Sequence, residues 1–340
     1  MSNEALAGLS DDLLFVTVLL YALSMLAFAG EQAARRSRQV ASSSAEAVAA
    51  RQSAAARTRA MALGAGPGST LVAAPSAPPV PEEPQPRASR AGQAGLVLAS
   101  VGAVLHTGSL VTRGLAADRV PWGNMYEFSS CVALSAVSIF LVMVAAGKVD
   151  RQLGAFVMLP AVLYLGLAGT VLYTAAGPLV PALDSYWIKI HVFAAILSSG
   201  GFLLSGVVAL LYILRARHDA SVAAGVPPRF PLSMGASLPA AGVLDRVSYA
   251  VIAFAFPIWT FAIIAGAIWA ESAWGRYWGW DPKETWSFIT WVLYAGYLHA
   301  RATAGFKGTR AAWIGVAAAG ALIIDYYVVN IFVVGFHSYA

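Results

Sequence analysis

The chain has 340 residues, 59% of them apolar and 11% charged, with a net charge of +5. A soluble globular chain carries roughly 25% charged residues, so an ordinary soluble enzyme is excluded and a protein with several membrane spans is the starting point. One cysteine, Cys131, leaves no internal disulfide, cysteine-based zinc site or protein-held iron–sulfur cluster. The positive charges are placed as in a membrane topology and not as in a nucleic-acid surface.

Apolar runs of about 20 residues, enough for roughly 30 Å of hydrocarbon, fall at 13–30, 94–112, 126–146, 153–174, 188–214, 248–270, 286–304 and 311–334. The expected fold is all-α, a polytopic bundle of about eight membrane helices. Its Gly and Ala content suits close packing of helices in lipid. The first run does not read as a cleavable signal peptide. It is preceded by Asp11 and Asp12 and followed by Arg35, Arg36 and Arg38. With the N-terminus outside, Lys and Arg number 17 on the inner segments and 5 on the outer ones, of 22 in all. This positive-inside bias places both termini on the extracytoplasmic side.

Between the first and second spans, residues 31–93 are rich in Ala, Ser, Arg and Pro, ending near APSAPPVPEEPQP. Such a composition buries no core and reads as a disordered cytoplasmic insertion, although 31–62 has the composition to continue the first span as a frayed helix. Three parts are therefore expected: a first span within 1–30, the insertion 31–93, and a membrane domain over 94–340. A second, shorter inner loop at 219–243 carries Pro227, Pro228 and Pro231.

An outer loop at 271–286, between the sixth and seventh spans, ends in WGRYWGWDPKETW. Trp274, Trp278, Trp280 and Trp286 lie within 13 residues, with Tyr277, Arg276, Lys283, Asp281 and Glu284 among them. An interfacial aromatic belt is the ordinary reading of such residues. Their density favours instead a shelf for a large flat apolar ligand with acidic tails, the rings supplying area and the cations pairing with carboxylates. Asp281-Pro282-Lys283-Glu284 also has the form of a helix start, with Asp as N-cap, Pro first and Glu third. Asn124 stands in a similar position before the third span.

The five histidines sort by depth. His191, four residues into the fifth span, and His337, just past the eighth, share the outer face with the aromatic loop. Two neutral imidazoles there suit both axial positions of a haem iron, or a zinc or copper ion. Zinc asks for more ligands than this face offers in His or Cys, and haem suits the shelf better. His299 lies about 21 Å down the seventh span from Thr285 at 1.5 Å per residue, near the inner leaflet. An ionisable group at that depth marks a functional site by default. His106, in the second span, reads equally as structural or functional, and His218 reads as solvated in a cytoplasmic loop. Asp325 sits mid-span and needs a partner that the sequence does not name.

WGRYWGWDPKETW resembles the WWD signature of haem-handling membrane proteins. PWGNMYEFSS (121–130), SYWIKIHV (185–192), WVLYAGYLHAR (291–301) and GFHSYA (335–340) resemble further segments of the CcsA/CcsB (ResC) branch of System II cytochrome c biogenesis. The resemblance covers most of 94–340, and the insertion 31–93 matches nothing in it. It implies a plasma (inner) membrane protein, multi-pass and active on its extracytoplasmic face, that carries haem b (iron protoporphyrin IX) across the membrane. The carried haem is presented reduced for thioether attachment to the CXXCH thiols of apocytochrome c. His191 and His337 would be axial ligands, Trp274, Trp278, Trp280, Trp286 and Asp281 would belong to the loop holding the ring, and Arg276 and Lys283 would meet the propionates. His299 would belong to an inner haem site, completed by a ResB/Ccs1-type membrane partner. A thioredoxin-like thiol reductant is a further expected partner, and nucleic acid is not one. No catalytic residue is named, because no Cys–His or Ser–His–Asp arrangement is visible, and the chain would act as a subunit of a cytochrome c haem lyase or synthase complex.

Two other classes fit the composition. A proton-coupled transporter would use His299 and Asp325 as a relay, but would show broken helices in paired repeats. A haem-containing electron-transfer subunit would keep its haem, typically between His pairs inside the bundle.

Overall fold

The computed structural model describes residues 1–62, 89–178, 185–303 and 305–337. All regular structure among these is helical. Helices α1 (Asn3–Ala62), α2 (Arg90–Ala117), α3 (Met125–Ala145) and α4 (Gly154–Val171) precede α5 (Tyr186–Ala223), α6 (Ala241–Trp274), α7 (Pro282–Thr303) and α8 (Thr309–Ile323). A π-helical stretch, Ile324–Val329, and a last turn, Asn330–Phe332, prolong α8. Seven of these segments are long and apolar enough to cross a membrane, and the protein is a multi-pass membrane protein. Helix α7 is the exception. Its 22 residues reach about 33 Å, but Lys283, Glu284, His299 and Arg301 lower its apolar content.

Helix α5 is the axis of the bundle. In its most apolar window 78% of residues are buried, against 28–44% in the other six apolar segments. On one side of it, α1, α3 and α4 close a core around Tyr21, Phe28, Val137, Phe140, Met158 and Leu165. On the other, α6, α7 and α8 close a second core around Phe202, Ile252, Trp259, Tyr294 and Tyr297. Phe202 and Tyr294 stack there with ring centroids 3.7 Å apart.

Polar side chains tie the helices together where lipid offers no partner. Ser10 donates to the Ser109 carbonyl at 2.9 Å and Ser24 to the Gly95 carbonyl at 2.8 Å, joining α1 to α2. At the cytoplasmic end expected from the sequence, Arg151 grips Glu31 at 2.9 Å and Arg301 donates to Asp245 at 2.9 Å. His106 is fully buried, with Tyr21 Oη 3.4 Å from Nδ1 and Ser130 Oγ 2.8 Å from Nε2. It knits α1, α2 and α3 together.

Helix α1 is 60 residues long, about 90 Å, three times the roughly 30 Å of a hydrocarbon core. Residues 31–62 are thus helical and continuous with the first span. The Pro-rich remainder of the insertion, 63–88, lies outside the described residues.

Candidate functional site

The end of the bundle where α2, α6 and α8 finish and α3, α5 and α7 begin holds a cavity of about 1610 Å³, counting its open mouth. Its wall is mostly apolar and aromatic. Helix α6 contributes Trp259, Ala262, Ile263, Gly266, Trp269 and Ala270, residues three or four apart and so on one helical face. Tyr164, Tyr326 and Tyr327 stand on the wall as well.

His191 and His337 both line this cavity. His191, in the second turn of α5, donates from Nδ1 to the Ala262 carbonyl of α6 at 2.7 Å. Gly266 makes the approach possible, since a Cβ there would fall 2.7 Å from that Nδ1. His337 donates from Nδ1 to the Asp281 carboxylate at 2.8 Å. A bond donated from Nδ1 fixes the neutral tautomer that carries its lone pair on Nε2. This is the arrangement by which proteins orient histidine ligands of metals.

Asp281 organises the loop and the C-terminal tail at once. Helix α6 stops at Gly275, whose φ of +69° suits glycine. Trp280 also has positive φ, +58°, a conformation costly for a bulky residue, and it turns the chain into α7. Asp281 Oδ2 then accepts from the Lys283 N–H at 3.2 Å, and Glu284 Oε2 accepts from the Asp281 N–H at 3.0 Å. This is a reciprocal cap of the kind the sequence predicts. The free side of Asp281 takes the tail: Oδ1 accepts from the Phe336 N–H at 2.8 Å, beside the His337 bond. Gly335 gives the backbone room, because a Cβ there would lie 2.7 Å from Asp281 Oδ1. Burial pushes the Asp281 carboxyl up, but the bonds from His337, Phe336 and Lys283 together hold it below its ordinary range.

The tryptophans of the loop divide. Trp278 stands on the cavity wall. Trp274 backs His337, edge-on at 4.9 Å. Trp280 is 66% exposed and meets Trp278 edge-to-face at 5.7 Å. Trp286 is half-buried in the first turns of α7, off the wall. Arg276 also lies off the wall. It stacks 4.8 Å over Phe336 and sits 3.7 Å from Glu284. Lys283 is on the wall, donating at 3.1 Å to the Asp325 carbonyl and to Asn330 Oδ1. It is the partner of Asp325 that the sequence left unnamed, 4.0 Å from the carboxylate. His299 is exposed near the opposite end of α7 and takes no part in the cavity. His218, read as solvated, is half-buried and donates from Nδ1 to the Leu232 carbonyl at 2.9 Å.

The loop before α3 and the start of α3 supply more of the wall: Val120, Trp122, Gly123, Asn124, Met125 and Phe128. Asn124 caps α3 by accepting from the Glu127 N–H at 2.9 Å. Glu127, fully buried, accepts from Arg113 Nε at 2.8 Å, Arg119 Nη1 at 2.6 Å and the Gly123 N–H at 2.8 Å. The segment thus anchors one rim of the cavity. The wall aromatics Trp122, Trp259 and Trp269 are not singled out by the sequence. The spacing 259, 262, 266, 269 along one helical face was the signal for the last two.

Among the described residues no group of three or more His, Cys, Asp or Glu is placed to hold a metal ion. The pair of imidazoles shares its aromatic cavity with two lysines, Lys189 and Lys283.

The family model of the cytochrome c assembly protein matches residues 122–337. The chain belongs to the cytochrome c assembly protein family. Within the family it falls on the CcsA/CcsB branch. It is 35% identical over 291 residues to the cytochrome c biogenesis protein CcsA of Gloeobacter violaceus, covering 71% of this chain and 85% of that one. It is 35% identical over 242 residues to CcsA of Guillardia theta, covering 68% and 80%, and 33% identical over 288 residues to CcsA of Synechococcus elongatus, covering 72% and 86%. The role of the chain lies in cytochrome c maturation. The matched segment of this assembly protein begins at Trp122 and ends at His337, and every residue on the cavity wall except Val120 falls within it.

Proposed function

We propose that the cavity receives haem b as a carried substrate and presents it at the extracytoplasmic face for attachment to apocytochrome c. The observation that carries this reading is that His191 and His337 line one cavity, each with Nδ1–H committed to an acceptor and the lone pair directed to Nε2. Two such imidazoles are the axial set of a low-spin haem. Trp278 and the α6 aromatics Trp259 and Trp269 supply flat apolar contact, and Lys283 and Lys189 supply charge for propionates.

Haem brings to the site two vinyl groups, across which the thiols of a CXXCH segment add to give thioethers. The protein's contribution is position. A ring held by two imidazoles and an aromatic wall keeps its vinyl edge in one place, and an ordered approach of this kind replaces base catalysis. The site is System II in type, with both chain termini outside by the positive-inside bias, in a plasma membrane. His299, exposed on α7 near the opposite end, is available to a helix of a ResB/Ccs1-type partner for an inner haem site. A thioredoxin-like reductant would keep the CXXCH thiols reduced.

The test is the absorption spectrum of the purified chain with its membrane partner. His191→Ala and His337→Ala should each lose the low-spin bis-histidine bands, and added imidazole should restore them. Unchanged bands in both variants would refute the assignment.

A further inference from the structure

The cavity wall carries a pair of opposite charges, Lys283 and Asp325, whose charged groups stand 4.0 Å apart without a hydrogen bond between them. Lys283 has three N–H donors. Two go to neutral oxygens, the Asp325 carbonyl and Asn330 Oδ1, each at 3.1 Å. The Asp325 carboxylate itself lies at 4.0 Å, outside hydrogen-bonding range. Asp325 is 2% exposed, and its Oδ1 has no hydrogen-bond partner. A buried carboxylate kept only to brace a lysine would be bonded to it, because an orphaned buried oxygen carries the full cost of desolvation. Trp122 lines the same cavity, and its indole Nε1 is also buried without an acceptor. The wall therefore holds a cation with a loose counterion and an unused donor. Both are unmet needs of the kind an incoming anion satisfies.

The other carboxylates near the wall have partners of their own, although Glu284 Oε1 is likewise without a hydrogen bond, 3.7 Å from Arg276 Nη1. Glu284 caps α7 and faces Arg276, which lies off the wall. Asp281 is saturated by the tail. Asp325 sits in the π-helical stretch Ile324–Val329, the widened turn that recurs at functional sites.

Resting on the reading that the cavity holds haem b, we infer that Asp325 is a resident counterion for Lys283 that a propionate of the substrate displaces. Before the substrate's carboxylate arrives, Asp325 balances the charge of the half-buried Lys283 ammonium. When the substrate's carboxylate takes that place, two anions face one lysine, and Asp325 opposes retention. The residue is a positioning and release element: Lys283 selects a ligand with an acidic tail, and Asp325 keeps the grip weak enough for delivery.

The experiment uses the full chain with its membrane partner in detergent, titrated with haem b and with the dimethyl ester of haem b, which lacks both carboxylates. Asp325→Asn is expected to tighten haem b by about tenfold, in the usual range for directly coupled groups, and to leave the ester unchanged. Lys283→Met is expected to weaken haem b by a similar factor, again with the ester unchanged, and the double variant should match Lys283→Met. The inference is overturned if Asp325→Asn weakens haem b, if it shifts haem b and ester alike, or if Lys283→Met leaves their ratio as in the wild type. Those results with normal low-spin spectra would sink only the counterion. A wild-type complex that binds neither ligand would sink the haem reading with it.

Discussion

Asp281 and His337, 56 positions apart in the chain, are joined by a hydrogen bond of 2.8 Å from the imidazole Nδ1 to the carboxylate. The same carboxylate holds the Phe336 N–H, so one side chain sets both the place of the tail and the tautomer of its histidine. Partners of this kind, when removed from a ligating histidine, cost 10–100-fold in affinity, roughly. Asp281→Ala should therefore lower haem affinity by about that factor. Asp281→Asn, which keeps an acceptor but loses the charge, should fall between it and the wild type. Spectral titration of the purified complex measures both. Equal affinity in all three proteins would show that Asp281 serves only as the cap of α7.

His191 is placed by an absence of side chain. A Cβ at Gly266 would lie 2.7 Å from Nδ1 and 2.8 Å from Cε1 of the imidazole. Gly266→Ala should push the ring off its bond to Ala262 and reduce haem affinity by about tenfold. Alanine is the better helix former by about 1 kcal/mol, so α6 itself should not suffer. Gly242→Ala on the same helix, where the nearest atom is the end of Arg246 at 3.6 Å, is the matched control. Similar haem spectra and affinities for the two variants would remove the steric argument.

The rim before α3 depends on Glu127. Its two oxygens take Arg113, Arg119 and the Gly123 N–H in a site with no solvent exposure. Removing one member of a buried ion pair leaves the others charged and unpaired, at roughly 3–5 kcal/mol. Glu127→Ala should lower the thermal unfolding midpoint in detergent and reduce the amount of protein in the membrane. The fraction that folds should retain bis-histidine bands, because Glu127 touches neither imidazole. Loss of the bands at an unchanged unfolding midpoint would move Glu127 from scaffold to ligand site.

Several features could be read directly from the residues, for physical reasons. Hydrocarbon demands about 20 apolar residues per crossing, so α1 to α6 and α8 announce themselves. Helix α7 does so less clearly, because its first turn serves the cavity with Lys283 and Glu284 and its last turn pairs Arg301 with Asp245. The cap at Asp281 was legible because caps are local. The bond from Asp281 to His337 and the approach of Lys283 to Asp325 were not, since each joins positions more than 40 residues apart. The wall of α6 was concealed differently. In a span that is apolar throughout, Trp259 and Trp269 look like any residue facing lipid or a neighbouring helix, and only their spacing with Gly266 marks a shared face.

Trp278 and Trp280 separate two functions that the aromatic loop had merged. Trp278 lines the cavity, while Trp280 is 66% exposed beside it and touches Trp278 edge-to-face at 5.7 Å. Stripping a large aromatic from a binding wall removes buried contact area and its quadrupole, so Trp278→Ala should weaken haem binding by about tenfold, a loss of roughly 1.4 kcal/mol. Trp280 is exposed beside a wall residue, and an exposed aromatic suits a peptide partner. Trp280→Ala should leave haem affinity within about twofold of the wild type, the scatter of surface substitutions, and yet lower the yield of covalently attached cytochrome c. Two measurements on the same purified complexes decide it: spectral haem titration, and thioether formation with a CXXCH peptide. If Trp280→Ala loses haem as strongly as Trp278→Ala, the loop acts as one shelf and the division fails.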